Sequence, residues 1–383
     1  MKKLYSKLSQ TWDADSTVAR LTLNPNLPRP LRSSHFLITQ GIPLQETDEF
    51  AGVINVSGQT TTERPFINLG PEFSYLGEGD IAWHSPRSGR FEVIYRKNSS
   101  QNHLFVTGRC NSKCIMCPQP PIPDDDPDRF ESMLKAISLV SRDTVSLGIT
   151  GGEPTLLGAG LIQLIKSCQA YLPDTVIHLL TNGHRFKYSQ YARELSFAAN
   201  SHILVGIPLY SDIAGEHDFI CQVKGAFTDT IRGLLNLHRA TVPIELRFVL
   251  QAPAKGRIVR FARFVAQNLP FVSQVSFMGV ETVGFAEANR DEIWIDPMDL
   301  MAELEEAVGL LNNHHICVAL FNQQLCVLPR SLWPYSKKSI SDWKNEFPDQ
   351  CRDCSMQKEC GGFFALKTVK PSRGIRPIPA LAV

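Results

Sequence analysis

The spacing of apolar and polar positions changes near residue 100, and the two parts of the chain predict different architectures. Before that point, short apolar runs at 35–39 and 50–56 are interrupted by proline and glycine, and residues 91–96 alternate between the two side-chain classes. Alternation with period two is typical of a half-buried strand. Residues 1–100 are therefore predicted to form a small β-rich N-terminal domain, and its sequence contains no cluster of chemically active side chains.

From residue 103 onward, short apolar runs alternate with stretches of helical period. The runs predict six strands, at 103–107, 144–149, 176–180, 203–208, 244–250 and 272–278. The intervening stretches predict helices from 127 to 140 and at 157–171, 187–198, 225–239, 257–268 and 297–312. The pairs Asp126-Pro127 and Asp296-Pro297 are typical of a helix cap and first helical residue. Six repeated βα units predict a parallel sheet with helices outside it.

Six units rather than eight predict an α/β fold with an open, partial (βα)6 barrel. We assign the barrel to residues 101–295 and a Cys-rich C-terminal extension to 296–383, whose proline-rich, basic end after residue 366 is expected to be loosely ordered. In barrels of parallel strands the chemistry lies at the carboxyl ends of the strands.

Overall composition excludes several classes of partner. The 383 residues are 43% apolar and 20% charged, with a net charge of +1, so bulk charge indicates neither a nucleic acid nor a membrane surface. The basic N-terminus lacks the apolar core of a secretory signal, and no apolar run approaches the ~20 residues of a membrane-spanning helix. A cytoplasmic protein is predicted.

Three of the ten cysteines follow the first barrel strand as Cys110, Cys114 and Cys117, with the spacing Cys-x3-Cys-x2-Cys. Grouped thiols without an export signal indicate metal ligands. Structural zinc takes four protein ligands, and no fourth Cys or His lies nearby in sequence. Three thiolates suffice to bind three irons of a four-iron cluster and leave the fourth iron open to another ligand. A structural metal knot is the alternative.

The turn Gly151-Gly152-Glu153-Pro154 follows the second strand and therefore lies on the same rim as the three thiols. It is either an ordinary βα turn, with proline starting a helix, or a place where bare backbone meets a ligand and Glu153 receives a cationic group. Asn182-Gly183 on the same rim is predicted to form an ordinary turn. His217 is expected in a surface loop. Arg247 either reaches into the barrel mouth or faces solvent.

A second group of thiols lies near the C-terminus. Its spacing is Cys-x2-Cys-x5-Cys plus one upstream thiol, and its members are Cys326, Cys351, Cys354 and Cys360. Four thiolates suit an auxiliary iron–sulfur cluster or a zinc knot. Cys317 is an alternative fourth ligand, although its apolar run predicts that it packs in the core. Cys168 is also predicted in the core, and Cys221 has no partner in sequence.

The Cys-x3-Cys-x2-Cys triad resembles the signature of the radical S-adenosylmethionine (radical SAM) superfamily. The resemblance implies a partial barrel and a 4Fe-4S cluster whose open iron chelates S-adenosylmethionine, which one electron cleaves to a 5′-deoxyadenosyl radical. It implies that the turn contacts the amino group of the cofactor and that Ser211 contacts its ribose. It also implies that Met116, at a position usually occupied by an aromatic residue, contacts its adenine. The expected cofactor-binding residues are Met116, Gly151, Gly152, Glu153, Pro154, Ser211 and Arg247.

A finer resemblance is to the C component of the His-Xaa-Ser system radical SAM maturases. Residues 107–121, 339–346 and 360–364 carry it. It implies a SPASM- or twitch-like extension with an auxiliary 4Fe-4S cluster, and hydrogen abstraction from a ribosomally synthesised peptide (a RiPP precursor), here one with His-Xaa-Ser repeats. The implied partners are that peptide, a sister radical SAM maturase, and an electron donor such as flavodoxin or ferredoxin. A radical enzyme acting on a small molecule and a zinc-stabilised interaction protein are the alternatives.

Overall fold

The computed structural model describes most of the chain. The described residues are 4–8, 15–39, 49–56, 66–122, 127–338, 345–364 and 370–380. Within them the strands form two seven-stranded sheets, one from the N-terminal part and one from the remainder.

The N-terminal sheet confirms the prediction of a β-rich region. Its elements are β1 (Tyr5–Lys7), β2 (Thr17–Thr22), α1 (Arg29–Arg32), β3 (His35–Thr39), β4 (Gly52–Asn55), β5 (Phe66–Asn68), β6 (Ile81–Ser85) and β7 (Arg90–Tyr95). The strand order is β1-β7-β6-β2-β3-β4-β5. Trp83 and Tyr95 are buried in the same apolar cluster as the second sheet, so the two sheets share a packed boundary.

The second sheet is parallel throughout and runs in chain order, as the βα alternation predicts. Its strands are β8 (Asn102–Phe105), β9 (Ser146–Thr150), β10 (Val176–Leu180), β11 (Ile203–Pro208), β12 (Ile244–Leu250), β13 (Gln274–Gly279) and β14 (Cys317–Phe321). The α/β fold with an open barrel is confirmed, but the prediction of six strands was one short. The apolar run at Cys317 is β14, which pairs with β13, and a five-residue run of this kind does not reveal its partner from sequence. Cys317 itself is exposed, so its predicted place in the core was wrong.

Helices connect the strands of this sheet along the chain. They are α2 (Arg129–Ile137), α3 (Ala159–Tyr171), α4 (Ser189–Ala199), α5 (Ala214–Cys221), α6 (Ala226–Arg239), α7 (Ile258–Asn268), α8 (Phe285–Ala288), α9 (Arg290–Ile293) and α10 (Met301–Asn313). Asp126 lies outside the described residues, and Asp128 occupies the capping position of α2. Asp296 accepts a hydrogen bond from the Met298 N–H, as its predicted capping role requires. Of the helices in the described part of the chain, none has the length and hydropathy of a bilayer-spanning segment.

The chain end at 370–380 is bound to the barrel, so the expectation of loose order was wrong for these residues. The Ser372 hydroxyl donates to Asp296 Oδ1 at 2.6 Å, and the Arg373 guanidinium lies 3.1 Å from the other carboxylate oxygen of Asp296. The N–H of Ile378 donates to the sulfur of Cys354 at 3.3 Å. Composition alone missed these contacts because each joins residues far apart in sequence.

Candidate metal centre and the barrel interior

The loop that carries the first three thiols packs directly against the Gly-Gly-Glu turn. The N–H of Gly152 donates to Thr107 O at 2.7 Å, and the N–H of Glu153 donates to Arg109 O at 2.8 Å. A Cβ atom on Gly151 would lie 2.4 Å from Thr107 O, and one on Gly152 would lie 2.2 Å from Arg109 O. The two glycines are therefore needed for the close approach of the backbone that precedes Cys110.

Glu153 connects the turn to the next strand end. Its side chain is completely buried and accepts hydrogen bonds from the Thr155 N–H at 2.8 Å, the Thr155 hydroxyl at 2.6 Å and the Thr181 hydroxyl at 2.7 Å. The N–H of Asn182 donates to its other oxygen at 2.6 Å. Burial raises the pKa of Glu153, although these hydrogen bonds favour the charged form. The expected contact of Glu153 with a cationic group stays a prediction.

Asn182 is more than the ordinary turn residue predicted from sequence. Its side-chain amide donates to Asn111 Oδ1 at 2.6 Å, within the thiol loop. Together with the contact of its N–H with Glu153, this places the ends of β9 and β10 around one loop. The only sequence indication was that an Asn-Gly pair ends a neighbouring strand.

Contacts from α5 and α8 complete the support of the loop. The N–H of Lys113 donates to Cys221 O at 3.2 Å, and the N–H of Ile115 donates to Ile220 O at 3.0 Å. The N–H of Phe285 donates to Cys117 O at 2.9 Å. The loop is thus fixed along its length by backbone hydrogen bonds to three helices or turns, an arrangement that suits a preformed ligand site.

The three thiols of the loop are partly shielded from solvent and are not joined by disulfides. Burial raises the pKa of Cys110 to about 12 and that of Cys117 to about 11. The pKa of Cys114 is instead lowered, because the Cys221 thiol and the Tyr210 hydroxyl donate hydrogen bonds to its sulfur. The charges of Cys114 and Cys117 contribute to the raised pKa of Cys110, so the three sulfurs lie within electrostatic reach of one another.

The residues present fit a multi-iron cluster. Among the described residues, no group of three or more His, Cys, Asp or Glu side chains converges on the position of a single metal ion. A four-iron cluster does not need that convergence, because each of its irons takes its own thiolate. Bound iron would also displace the protons that burial favours on Cys110 and Cys117.

His217 lies on α5 beneath the loop and is 1% exposed, so its expected place in a surface loop was wrong. Its Nδ1 accepts a hydrogen bond from the Tyr210 N–H at 3.1 Å, and its Nε2 lies 3.4 Å from the Cys221 sulfur. Its ring stacks on that of Tyr210. Burial lowers the pKa of His217 to about 4, which favours the neutral imidazole. His217, Tyr210 and Cys221 are distant from Cys114 in sequence and come near it only in the folded protein.

Other expected cofactor contacts lie near the rim. Met116 is buried in an apolar cluster with Ile115 and Tyr210. The Ser211 hydroxyl donates to Glu216 Oε2 at 2.6 Å and accepts from the Ile213 N–H at the start of α5. The adenine contact of Met116 and the ribose contact of Ser211 stay predictions.

The barrel interior contains a row of polar side chains that alternate with glycine. His103 covers Gly148 on the next strand, where a Cβ would lie 2.0 Å from its ring. His178 Nε2 lies 2.7 Å from Glu245 Oε2, and this contact passes over Gly206 on the strand between them. A substituent on either glycine would therefore meet a polar side chain of the interior.

Arg247 extends this row and lines a cleft together with His103 and His178. Its Nε lies 3.9 Å from Glu245 Oε1 and, among the described residues, has no hydrogen-bond partner. Burial alone would raise the pKa of Glu245, but the hydrogen bond with His178 and the charge of Arg247 outweigh it and lower the pKa to about 2. Arg247 lies in the middle of β12, within the barrel rather than facing solvent, and its cofactor contact stays a prediction.

The C-terminal thiols line a single cavity. The lining includes Cys326, Cys351, Cys354 and Cys360, with apolar contributions from Phe347 and Ile378. Burial raises the pKa of Cys326 and of Cys351, and the charges of the neighbouring thiols raise both further. Cys317 begins β14 and is not among the lining residues.

Comparison with known proteins agrees with this geometry. Residues 104–251 match the model of the Radical SAM superfamily. The GTP 3′,8-cyclase of Nautilia profundicola is 28% identical over an alignment that covers 42% of this chain and 55% of the cyclase. The chain thus spans about half the length of this curated relative.

Two solved structures are similar to this chain at low identity and with TM-scores below 0.5. SuiB of Streptococcus suis, bound to its precursor peptide SuiA, is 15% identical over 61% of this chain and 50% of SuiB, with a TM-score of 0.46. The protein anSMEcpe, bound to AdoMet and the Cp18Cys peptide, is 18% identical over 56% of this chain and 62% of that chain, with a TM-score of 0.44. The matched region begins in β8 and ends just after β12, and it contains both the thiol loop and the Gly-Gly-Glu turn. Residues 104–251 therefore match the model of a radical SAM domain, and this match covers the part of the chain that contains the candidate site.

Proposed function

We propose that the protein is a radical SAM maturase that modifies a ribosomally synthesised peptide. Cys110, Cys114 and Cys117 would bind the 4Fe-4S cluster, and the Gly151–Pro154 turn would contact S-adenosylmethionine. Such a cluster supplies the electron that yields a 5′-deoxyadenosyl radical, which abstracts hydrogen from the substrate. The observation that carries the proposal is the direct docking of the thiol loop on the Gly-Gly-Glu turn through two short hydrogen bonds.

The chain's own residues prepare this site in three ways. The two glycines permit backbone contact, Glu153 connects the turn to β10, and Asn182 fixes the loop through Asn111. Because Glu153 is buried and the hydrogen-bonding groups of the turn and loop are already paired, the loop needs little rearrangement when ligands bind.

Two features support a peptide substrate and an auxiliary cluster. The four C-terminal thiols share one cavity with Cys326 rather than Cys317 as the fourth, which is the ligand count of a second 4Fe-4S cluster. The polar row inside the barrel, where Arg247 lines the cleft with His103 and His178, offers polar and charged groups to a peptide side chain. Of the stretch 339–346, residues 339–344 lie outside the described part of the chain.

The similarity to a GTP 3′,8-cyclase favours a second candidate, a radical enzyme acting on a small molecule. Mass spectrometry distinguishes the two candidates, because each predicts that a different molecule is modified. With a peptide maturase, a co-encoded precursor peptide with His-Xaa-Ser repeats changes mass in the presence of S-adenosylmethionine, whereas GTP and other small molecules are recovered unchanged.

The test of the radical chemistry is the formation of 5′-deoxyadenosine. Anaerobically loaded, reduced protein incubated with S-adenosylmethionine should release it, the Cys114→Ala variant should not, and the Cys168→Ala control, which removes a buried thiol of α3, should retain release. A fully loaded protein that releases none, with and without peptide, contradicts the proposal. Zinc without iron or sulfide in anaerobically purified protein would instead indicate a zinc-stabilised interaction protein.

A further inference from the structure

Residues 370–380 form a strap along one side of the cavity that the C-terminal thiols line. Ile375, Arg376 and Ile378 of the strap are lining residues of that cavity. Ile378 also packs against the main apolar cluster of the barrel, as does Cys360. The strap therefore contributes one wall of the auxiliary site, although its sequence contains no Cys, His, Asp or Glu that would bind a metal.

One end of the strap is fixed to the barrel at Asp296, the carboxylate that precedes α10. The Ser372 hydroxyl donates to Asp296 Oδ1 at 2.6 Å, and the Arg373 N–H donates to Oδ2 at 3.0 Å. Asp296 and Ser372 are each 7% exposed, so water competes little for these bonds. Neither of these two residues lines the thiol cavity, so this anchor acts on the thiols only through the strap.

The other end of the strap binds the segment that contains Cys354 through both backbone groups of Ile378. The Ile378 N–H donates to the Cys354 sulfur at 3.3 Å, and the Ile378 carbonyl accepts from the Ser355 N–H at 2.9 Å. The Ser355 hydroxyl donates to the same carbonyl at 2.9 Å. The strap is thus held at two points, Asp296 on the barrel and Cys354 at the cavity.

We propose that the strap closes the auxiliary site over the iron–sulfur cluster that the four thiols would bind, and that the bound cluster and the closed strap stabilise one another. This inference rests on the auxiliary cluster of the proposed function and involves no ligand of the first cluster. By thermodynamic linkage, a cluster that binds more tightly under a closed strap favours the closed strap by the same factor. Iron leaves from the open form, so the rate of its release scales with the open population.

The contact with Cys354 supplies the physical reason for this coupling. A metal-bound cysteine is a thiolate, and hydrogen bonds to an ionised acceptor are about twice as strong as those between neutral groups. Iron bound at Cys354 therefore strengthens the hydrogen bond from the Ile378 N–H that holds the strap closed. The half-buried side chains of Ile375 and Ile378 add an apolar cover that limits access of water to the cavity.

The first test measures iron release from the C-terminal site. It uses the full chain with the three thiols of the first site replaced by alanine, loaded anaerobically and then mixed with an iron(II) chelator. Ser372→Ala removes one hydrogen bond at the barrel anchor, and iron release should become about two- to tenfold faster. Ile378→Pro removes the N–H that donates to Cys354 and should accelerate release by a similar factor.

The matched control is Arg352→Ala. Arg352 forms an ion pair with Asp349 at 3.2 Å beside Cys351, and both side chains are largely exposed and lie outside the strap. Because exposed ion pairs contribute little, the control should release iron at the rate of the unsubstituted protein.

The second test reads the strap itself by limited digestion with trypsin, which cleaves after Lys and Arg but not before proline. Lys370 and Arg376 both precede proline, so Arg373-Gly374 is the single cleavable bond within the strap. Loading with iron should slow the release of fragment 374–383 by at least about fivefold. Ser372→Ala should reduce this protection.

Two results overturn the inference while the auxiliary cluster stands. They are iron release at the unsubstituted rate from loaded Ser372→Ala and Ile378→Pro proteins, and cleavage of the strap that is equally fast with and without iron. A chain that binds no iron at the four C-terminal thiols contradicts the auxiliary cluster and this inference with it. Slower cleavage on loading, without 5′-deoxyadenosine from the wild type, would instead contradict the proposed radical chemistry and leave this inference standing.

Discussion

Replacing Gly152 with alanine tests whether the Gly-Gly-Glu turn positions the thiol loop. The added Cβ would lie 2.2 Å from Arg109 O and 2.8 Å from Gly108 O, both backbone atoms of the strand-to-loop connection. Neither contact can be relieved by a side-chain rotation, so the segment before Cys110 must move away from the turn.

The magnitude follows from what this movement breaks. Two hydrogen bonds, of 2.7 and 2.8 Å, join the turn to this segment. At about 0.5–1.5 kcal/mol each, with about 1–3 kcal/mol for overpacking, the expected loss is about 2–6 kcal/mol. Because the movement displaces Cys110, we also expect the variant to lose the iron of the first cluster and to retain that of the C-terminal site.

The assay combines an anaerobic iron count with thermal unfolding. Gly309→Ala is the matched control, because no atom lies within 4 Å of its added Cβ and alanine favours helix α10 by about 0.5–1 kcal/mol. If Gly152→Ala binds the wild-type amount of iron and melts at the wild-type temperature, the turn does not position the loop and this reasoning is refuted.

Three further predictions concern Glu153, Glu245 and the C-terminal thiols. Glu153→Gln places an amide that donates hydrogen bonds among the donors Thr155, Thr181 and Asn182, and should destabilise the protein by about 1–3 kcal/mol in denaturant titrations; unchanged stability would contradict the described contacts. The pKa of Glu245 is lowered to about 2, so its contribution to stability is present above the unfolded pKa near 4.3 and is lost as pH falls towards 2. Glu245→Gln should therefore melt below wild type at pH 7 and approach it at pH 3, and a gap independent of pH would contradict the assignment. Replacing Cys354 and Cys360 together by alanine should lower the iron count from about eight to about four while 5′-deoxyadenosine formation persists; loss of all iron would show that the two sites are not independent.

The parts of the fold that could be predicted from the sequence were those determined by local patterns of apolar and polar residues. Six of the seven barrel strands and their helices follow from apolar runs and period, and the placement of the triad and the turn on one rim follows from strands being parallel. Strand β14 was missed because its five residues become a strand only through pairing with β13. The order of residues 370–380 was missed because it depends on Asp296 and Cys354, distant in sequence.

The candidate site shows the same limit. The spacing of the triad and the Gly-Gly-Glu turn made both recognisable, because each is a contiguous motif. The contacts of Asn182 with Asn111 and of His217 with Cys221 were not predicted, because Asn and His are also common in turns and loops. The role of the two glycines was predicted only in part. Their bare backbone was expected to meet a ligand, and in the structure it meets the backbone of Thr107 and Arg109.

The central claim is that one iron of the first cluster has no protein ligand and binds S-adenosylmethionine. The most direct test is the electron paramagnetic resonance spectrum of the reduced cluster in the variant that lacks Cys354 and Cys360, recorded with and without S-adenosylmethionine labelled at its amino nitrogen. We predict a changed spectrum and a nuclear coupling from the labelled nitrogen. A loaded, reduced cluster whose spectrum does not respond to the cofactor would contradict the account.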